Sequence, residues 1–413
     1  MRQVTTVVIG AGHCGLAMSW HLTQSGIDHV VLERGEIANS WKTERWDSLR
    51  LLTPNWQSRL PNFAYAGSDP HGYMTMAEVV ACLKSYASRI TAPIVTDSSV
   101  LKVSRAPDGY LVSTNRGMWR CRCVVIANGA CGVPVIPALA DRLPKNTVSM
   151  SPLQYRSPHQ LPPGGVLIVG ASATGVQLAR EIRGAGREVT LCAGEHVRLP
   201  RIYRGRDINW WMDVIGLMDV RFDQIDDIGR ARRLPSPQLI GTPEHETIDI
   251  NSLRASGVEI VGRLVAVDST MAKFSGALRN HCALADLKMN RLLDTIDTWV
   301  GNNGGTETRE PATRFEPTEC GREIRLNLDL RSSRISTVIW ATGFRPDYSW
   351  LDVPVLDSKG RIGHDGGVVS APGMYVMGLP FMRRRKSSFI DGAADDAKDL
   401  VAHLGAYLAR AAA

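Results

Sequence analysis

The chain has 413 residues, 44% of them apolar and 22% charged, the balance of a globular protein with two or three domains. No apolar run reaches membrane-spanning length, and the strand pattern Val7-Val8-Ile9 begins too early for a signal peptide, so a cytoplasmic location is expected. The net charge of +7 is spread along the chain outside two basic clusters, which argues against a nucleic-acid partner, and the eight cysteines contain no C-x-x-C pair, which argues against a zinc ribbon or a thioredoxin-type redox pair.

The first element is an apolar strand ending at Ile9. Gly10, Gly12 and Gly15 then carry G-x-G-x-x-G, Leu16, Met18 and Leu22 continue at helical spacing, and Gly26 ends the helix. Val30-Val31-Leu32 form the next strand and Glu33 closes it, 18 residues after Gly15. This is the arrangement that seats a pyrophosphate on a helix N-terminus and offers a carboxylate to an adenosine ribose. Arg34, next to Glu33, is counted with this site.

Short alternating strands follow at 100–104, 110–114 and 119–126, ending in "VVIANG" at 124–129. After the linker "SPHQLPPGG" at 157–165 the opening pattern repeats, offset by 160 positions. Gly170 matches Gly10, Ser172 matches Gly12, Gly175 matches Gly15, and Ala193 stands where Glu33 stood. Ser172, Ala173 and Thr174 keep the turn narrow enough for a pyrophosphate. Ala193 removes the carboxylate that would repel a 2′-phosphate, and Arg198, Arg201 and Arg204 follow as candidate phosphate partners. That combination predicts NADPH rather than NADH.

Residues 204–255 are rich in Trp, Arg and turn-forming Pro. Residues 276–300 predict an amphipathic helix after Asn280, and "GNNGGTETREPATR" after it is a polar loop. "VIWATG" at 338–343 repeats "VVIANG" position for position, "GMYVMGLP" is a further buried strand, and the chain closes on a helix. The predicted fold is α/β, with two dinucleotide-binding, Rossmann-like domains and the NADP domain inserted into the FAD domain. The expected boundaries are 1–156 with 334–413 for FAD and 157–333 for NADP, with a helical insertion around 204–300. Two such units imply a resident FAD and a visiting NADPH, since hydride transfer needs the two rings stacked face to face.

Four stretches, "GAGHCG", "NSWKTERWDSLRLLTPNWQSRLP" at 39–61, "YRSPHQLPPGGVLIVGASATG" at 155–175 and "WATGFRPD" at 340–347, together resemble the flavin-containing monooxygenase-like flavoproteins of the class B superfamily. The resemblance covers most of the chain and is weakest over 205–330. It implies that Glu33, Trp41 and Trp46 lie along the FAD, that the Val100 backbone meets the adenine, and that Asn128, Gly129, Thr342 and Gly343 sit near the domain hinge. It also implies reduction of FAD by NADPH, formation of a C4a-(hydro)peroxyflavin, and oxygenation of a small N-, S- or carbonyl-containing molecule.

Two departures from the family pattern stand out. Ser151 falls where the F-x-G-x-x-x-H histidine is expected, and Gly378-Leu379 stands where related reductases carry Gly-Asp. An NADPH-dependent reductase, dehydrogenase or oxidase without oxygen insertion therefore remains open, as does a flavin-bound sensor without turnover. Asn55 and Thr53 are candidates to stabilise a peroxide by hydrogen bonding, against an ordinary turn role. Asp391, with Gly392 before the last helix, is a candidate N-cap aimed at the flavin. Arg383 to Lys386 are candidate phosphate or acidic-substrate contacts, against a solvated loop. Trp210-Trp211 line a substrate pocket or pack in a core. Expected partners are a small-molecule substrate and molecular oxygen, with no membrane; a homodimer is open.

Overall fold

The computed structural model describes residues 1–268, 270–303, 310–331 and 335–410. Two sheets dominate it. The larger has ten strands, with Arg2–Ile9 at its centre, parallel to His29–Leu32 on one side and to Gly117–Ile126 on the other. Ile94–Val95 extends it beyond His29–Leu32. Val100–Ala106, Gly109–Thr114 and Gly117–Ile126 form an antiparallel meander, in which Tyr110, Val112 and Thr114 alternate inward. Met374–Val376 runs parallel to Gly117–Ile126.

The second sheet has five strands in the order Glu259–Gly262, Val189–Ala193, Gly165–Val169, Ile335–Trp340, Val148–Met150, and every pairing is parallel. Its two central apolar runs, GVLIV and VTLCA, are buried at every position, as expected of parallel strands covered on both faces. Four strands correspond one to one between the sheets. Gly165–Val169 matches Arg2–Ile9, Val189–Ala193 matches His29–Leu32, Glu259–Gly262 matches Ile94–Val95, and Ile335–Trp340 matches Gly117–Ile126.

Sheet membership differs from the expected boundaries at 156/157 and 333/334. Val148–Met150 already lies in the second sheet, and Ile335–Trp340 pairs with Gly165–Val169 rather than with the first sheet. The reason is the repeat itself. The "VIWATG" strand completes its own unit just as "VVIANG" completes the first. The chain crosses between sheets over 127–147 and returns over 341–350. The two crossings lie side by side, with Phe344 paired to Pro134 and Arg345 to Val133.

A smaller part of the molecule is α-rich. The Leu278–Asn303 helix buries Leu278, Cys282, Ala285, Met289, Leu293 and Ile296, a stripe at three- and four-residue spacing. Its last part meets Trp211, Met212 and Tyr203 in a core of their own. The loop after it, at 304–309, lies outside the described residues. The terminal helix Ala393–Arg410 packs against the His13–Gln24 helix. Among the described residues, no helix is long and apolar enough to cross a membrane, and no group of three His, Cys, Asp or Glu side chains is gathered as a metal site.

Candidate active site

Each repeat begins with the same backbone device. Gly10 has φ +107°, and a Cβ there would lie 2.6 Å from the Ala127 carbonyl oxygen. Gly170 has φ +111°, and its Cβ would lie 2.3 Å from the Ala341 carbonyl oxygen. Both oxygens belong to the small-residue turns after the matched strands. Gly15 and Gly175 would place a Cβ 1.9 Å and 1.8 Å from the carbonyl oxygens of Gly10 and Gly170. These four positions admit only glycine, because the helix lies directly on its own strand.

The helices that follow, His13–Gln24 and Ala173–Gly184, are capped by Gly12 and Ser172, and neither cap residue gives a side-chain hydrogen bond. The first-turn N–H groups stay open to an outside anion, with the positive end of the helix behind them. A Cβ on Gly12 would meet nothing within 4 Å, and the same holds for Gly129 and Gly343, so a ligand can approach all three. Ala173 is buried and Thr174 half-buried in the first turn of the second helix.

The side chains around the two turns differ. In the first, Glu33 is only 7% exposed. Its Oε2 accepts from the Ala11 N–H at 2.8 Å and its Oε1 from the Gly35 N–H at 3.1 Å. Each oxygen keeps a lone pair for a ribose hydroxyl. The 97–98 loop lies against it, the Ser98 N–H donating to the Glu33 carbonyl at 2.8 Å, and the buried Ser98 hydroxyl has no internal partner. Val100 starts the adjoining strand. Trp41 stands over the helix N-terminus, 6.2 Å from the His13 ring. Burial pushes the His13 imidazole down to about 4, so it is neutral there. These residues fit an adenine dinucleotide.

The other expected neighbours of this site are engaged elsewhere. Arg34 is exposed, donates to Ser40 at 3.1 Å and pairs with Glu44. Trp46 packs into the second unit's core beside Met150 and Tyr155 rather than along the first turn. The residues of the 128–129 and 342–343 turns bond segments distant in sequence. The Asn128 amide donates to the Asp347 carbonyl at 2.8 Å, and the Thr342 hydroxyl donates to the Val135 carbonyl. Gly378 has φ +80°, and a Cβ there would lie 2.7 Å from the Cys14 sulfur, which brings that strand end against the first helix.

In the second turn Ala193 leaves the ribose position without an acid. The arginine expectation, however, is overturned. Arg198 is buried, with Asp249 at 2.7 Å and Asp286 at 2.7 Å. Arg201 is fully buried on Asp207 at 2.6 Å, and its guanidinium also donates to the Leu52 carbonyl at 2.8 Å. Arg204 pairs with Asp297 at 2.7 Å. All three are drawn into the protein by aspartates: Asp207 lies six residues beyond Arg201, whereas Asp249 and Asp297 lie 51 and 93 residues beyond Arg198 and Arg204. Two other residues lie near this turn. The Arg263 stem lies against Gly194, 3.6–3.7 Å from an added Cβ; its side chain is exposed. Gln238 is fully buried, donates to the Ala171 carbonyl at 2.8 Å, and leaves its Oε1 without a partner.

Of the proposed catalytic group, Asn55 is spent on the backbone. Its amide donates to the Asp69 carbonyl at 2.9 Å and its oxygen accepts from the Met74 N–H at 2.8 Å. Thr53 is half-buried in the turn before it. Asp391 is bound to Arg59 at 2.5 and 2.9 Å, a salt bridge between distant segments in place of the expected cap. A Cβ on Gly392 would lie 2.0 Å from the Lys386 carbonyl oxygen, so the glycine closes the turn before the last helix. Ser151 is buried and both its N–H and hydroxyl bond Gln154.

The basic run at 383–386 serves the fold as well. Arg383 and Arg384 pair with Asp399 and Asp396, and Lys386 pairs with Asp219 and Asp395. Trp211 is core, its indole N–H on the Tyr203 carbonyl at 2.7 Å, whereas Trp210 is half-buried at a cleft.

The family described as pyridine nucleotide-disulphide oxidoreductase matches residues 7–202. An uncharacterized CzcO-like oxidoreductase of Geobacillus kaustophilus (strain HTA426) is 30% identical over 401 residues, 96% of this chain and 97% of that one. The indole-3-pyruvate monooxygenase YUCCA6 of Arabidopsis thaliana is 28% identical over 212 residues, 47% of this chain and 49% of that one. The flavin-containing monooxygenase of Stenotrophomonas maltophilia shares the fold, with a TM-score of 0.67 at 20% identity over 99% of this chain and all of that one. The chain belongs to the CzcO-like oxidoreductases, a branch of the flavin-containing monooxygenase-like flavoproteins built on an FAD fold and an NADP fold.

Proposed function

We propose that this oxidoreductase holds FAD on the Gly10–Gly15 turn, takes NADPH on the Gly170–Gly175 turn, and inserts one atom of molecular oxygen into a small molecule. The observation that carries the reading is the pair of glycine turns, each closed against the carbonyl of the turn after its own sheet's neighbouring strand and each leading into a helix whose cap residue gives no side-chain bond. The flavin supplies the redox and oxygen chemistry when bound. The chain supplies anion seats at the two helix ends, the Glu33 carboxylate for a ribose, and a side-by-side pair of crossings that joins the two units.

Arg263 takes the 2′-phosphate role in this reading. It is exposed, lies against Gly194 one residue beyond Ala193, and faces no acid at 193. The Gln238 carboxamide oxygen offers an acceptor beside the turn. Arg263→Ala is expected to raise the KM for NADPH about tenfold, the worth of one charge-assisted contact, and to leave the KM for NADH unchanged; equal effects on both would remove Arg263 from the phosphate.

Ser151 favours the second reading, in which the hydride step remains and oxygen is only reduced. Mixing NADPH-reduced enzyme with oxygen and following the flavin colour together with hydrogen peroxide separates the two. An enzyme able to insert oxygen predicts, with no substrate present, a delayed, two-phase return of oxidised flavin with peroxide released only in the second phase. A single fast return with stoichiometric peroxide would make the protein an oxidase or reductase.

A further inference from the structure

A cleft of about 450 Å³ opens between the Asn55–Gln57 turn and the 202–210 hairpin and helix. Its volume is that of a small-molecule site. Trp56 and Trp210 line it, together with His71, His245, Arg206 and Asp207. The hairpin is tight because Arg204 and Gly205 between its strands both have positive φ, +46° and +70°, the geometry of a two-residue turn whose twist matches its strands. Arg206 and Asp207 follow at once, so the turn fixes where both side chains begin.

The charges in this cleft do not cancel. Asp207 is already matched. Its Oδ1 takes Arg201 at 2.6 Å and the Asn209 N–H at 2.8 Å, and its Oδ2 accepts from the Tyr73 hydroxyl at 2.7 Å. Because Tyr73 gives its proton to Asp207, the His245 Nδ1, 3.2 Å from the same hydroxyl, must be the donor of that bond. Arg206 has a different environment. Its guanidinium stacks 5.0 Å from the Trp210 ring centroid, and no carboxylate pairs with it among the described residues. The Trp56 indole N–H is buried and has no internal partner, so Trp56 meets the cleft through its ring, and Arg59 lies 5.6 Å from that ring's centroid. Glu310 lies against Gly205 and is exposed to solvent.

The sum is one fork of N–H donors without a carboxylate partner and two large aromatic walls. We infer that this cleft binds a small aromatic carboxylate, with the acid on Arg206 and the ring between Trp56 and Trp210. A guanidinium pairs with a carboxylate through two parallel bonds, and indole faces favour a flat apolar body. Binding itself stands apart from the redox chemistry; that such an acid is also the molecule oxygenated rests on the function proposed above.

The test is calorimetric titration of the intact protein with 3-phenylpropionate and with its neutral isostere, 3-phenylpropionamide, flavin content being recorded on the same samples. The acid is expected to bind at least tenfold more tightly than the amide. Arg206→Gln should bring the acid down to the affinity of the amide while leaving the amide unchanged, and Arg206→Lys should retain part of the preference. Trp210→Ala should weaken both ligands alike. Far-UV circular dichroism of each variant shows that it is folded. Equal affinity of wild-type protein for acid and amide, an acid preference that survives Arg206→Gln, or no acid binding at millimolar concentration would each overturn the assignment. A flavin-free sample that still prefers the acid would count against the proposed function and leave this cleft standing.

Discussion

The turns at Gly10–Gly15 and Gly170–Gly175 have the same backbone and different surroundings. Both force a positive φ on their first glycine against the carbonyl of a neighbouring strand turn, and both leave a helix N-terminus open. At the first, a buried glutamate holds the loop by two backbone N–H groups and faces the ribose position. At the second, alanine stands there and a glutamine from a distant segment braces the turn. In the function proposed above, the backbone provides the anion seat and the residue closing the second strand decides which nucleotide sits in it.

The largest effect expected is on the arginines that follow the second turn. Arg201 is fully buried on Asp207, and removing one partner of a buried ion pair costs about 3–5 kcal/mol. Arg201→Ala should therefore lower the melting temperature sharply with no change in the preference for NADPH over NADH. A stable variant that loses that preference would restore these arginines to the nucleotide.

A smaller loss is expected from the first turn. Gly10→Ala forces a side chain to φ +107° and to 2.6 Å from a backbone oxygen, a strain of about 1–3 kcal/mol. The folded variant should purify without flavin. A yellow Gly10→Ala protein would mean that the two turns do not share one mechanism.

The smallest effect concerns His364, in the first unit's outer hairpin. Burial, with Arg232 nearby, pushes its ring down to about 4, and its Nδ1 accepts from the Gly367 N–H at 3.2 Å. In the unfolded chain the ring takes up its proton near the ordinary value of about 6.5. Between these values the unfolded state binds more protons, so stability falls as pH drops from about 6.5 to about 4 and is untouched above. The ring's share is on the order of 1–2 kcal/mol after allowance for partial exposure. His13, also pushed down to about 4 by burial, contributes in the same window, so His364→Gln should reduce the slope of the denaturation midpoints there without abolishing it; an unchanged slope would assign the acid sensitivity to other groups.

Much of this was legible in the sequence because it is local. The glycine spacings, Glu33, Ala193 and the paired "VVIANG" and "VIWATG" strands each act through neighbours in the chain or through the repeat. What sequence hid was partnership over distance. Arg198 and Arg204 look free until Asp249 and Asp297 fold onto them, and Arg201 until the hairpin that pairs Ile202 with Asp207 turns that acid back to it. Asn55 resembles a catalytic amide until the Asp69 and Met74 backbone claim both its ends. Arg263 and Gln238 carry no motif. They reach the second turn because the Glu259–Gly262 strand pairs beside Val189–Ala193 and the Pro237–Gln238 segment crosses near Ala171.

The central claim is that each glycine turn serves its own nucleotide. Anaerobic addition of NADPH to wild-type protein and to Gly170→Ala, with flavin colour as the readout, tests it most directly. Both should be yellow as purified, the wild type should bleach, and the variant, blocked by a side chain 2.3 Å from the Ala341 carbonyl oxygen, should stay yellow. A wild-type protein that takes up no FAD, or a variant that bleaches as fast as wild type, would contradict the account.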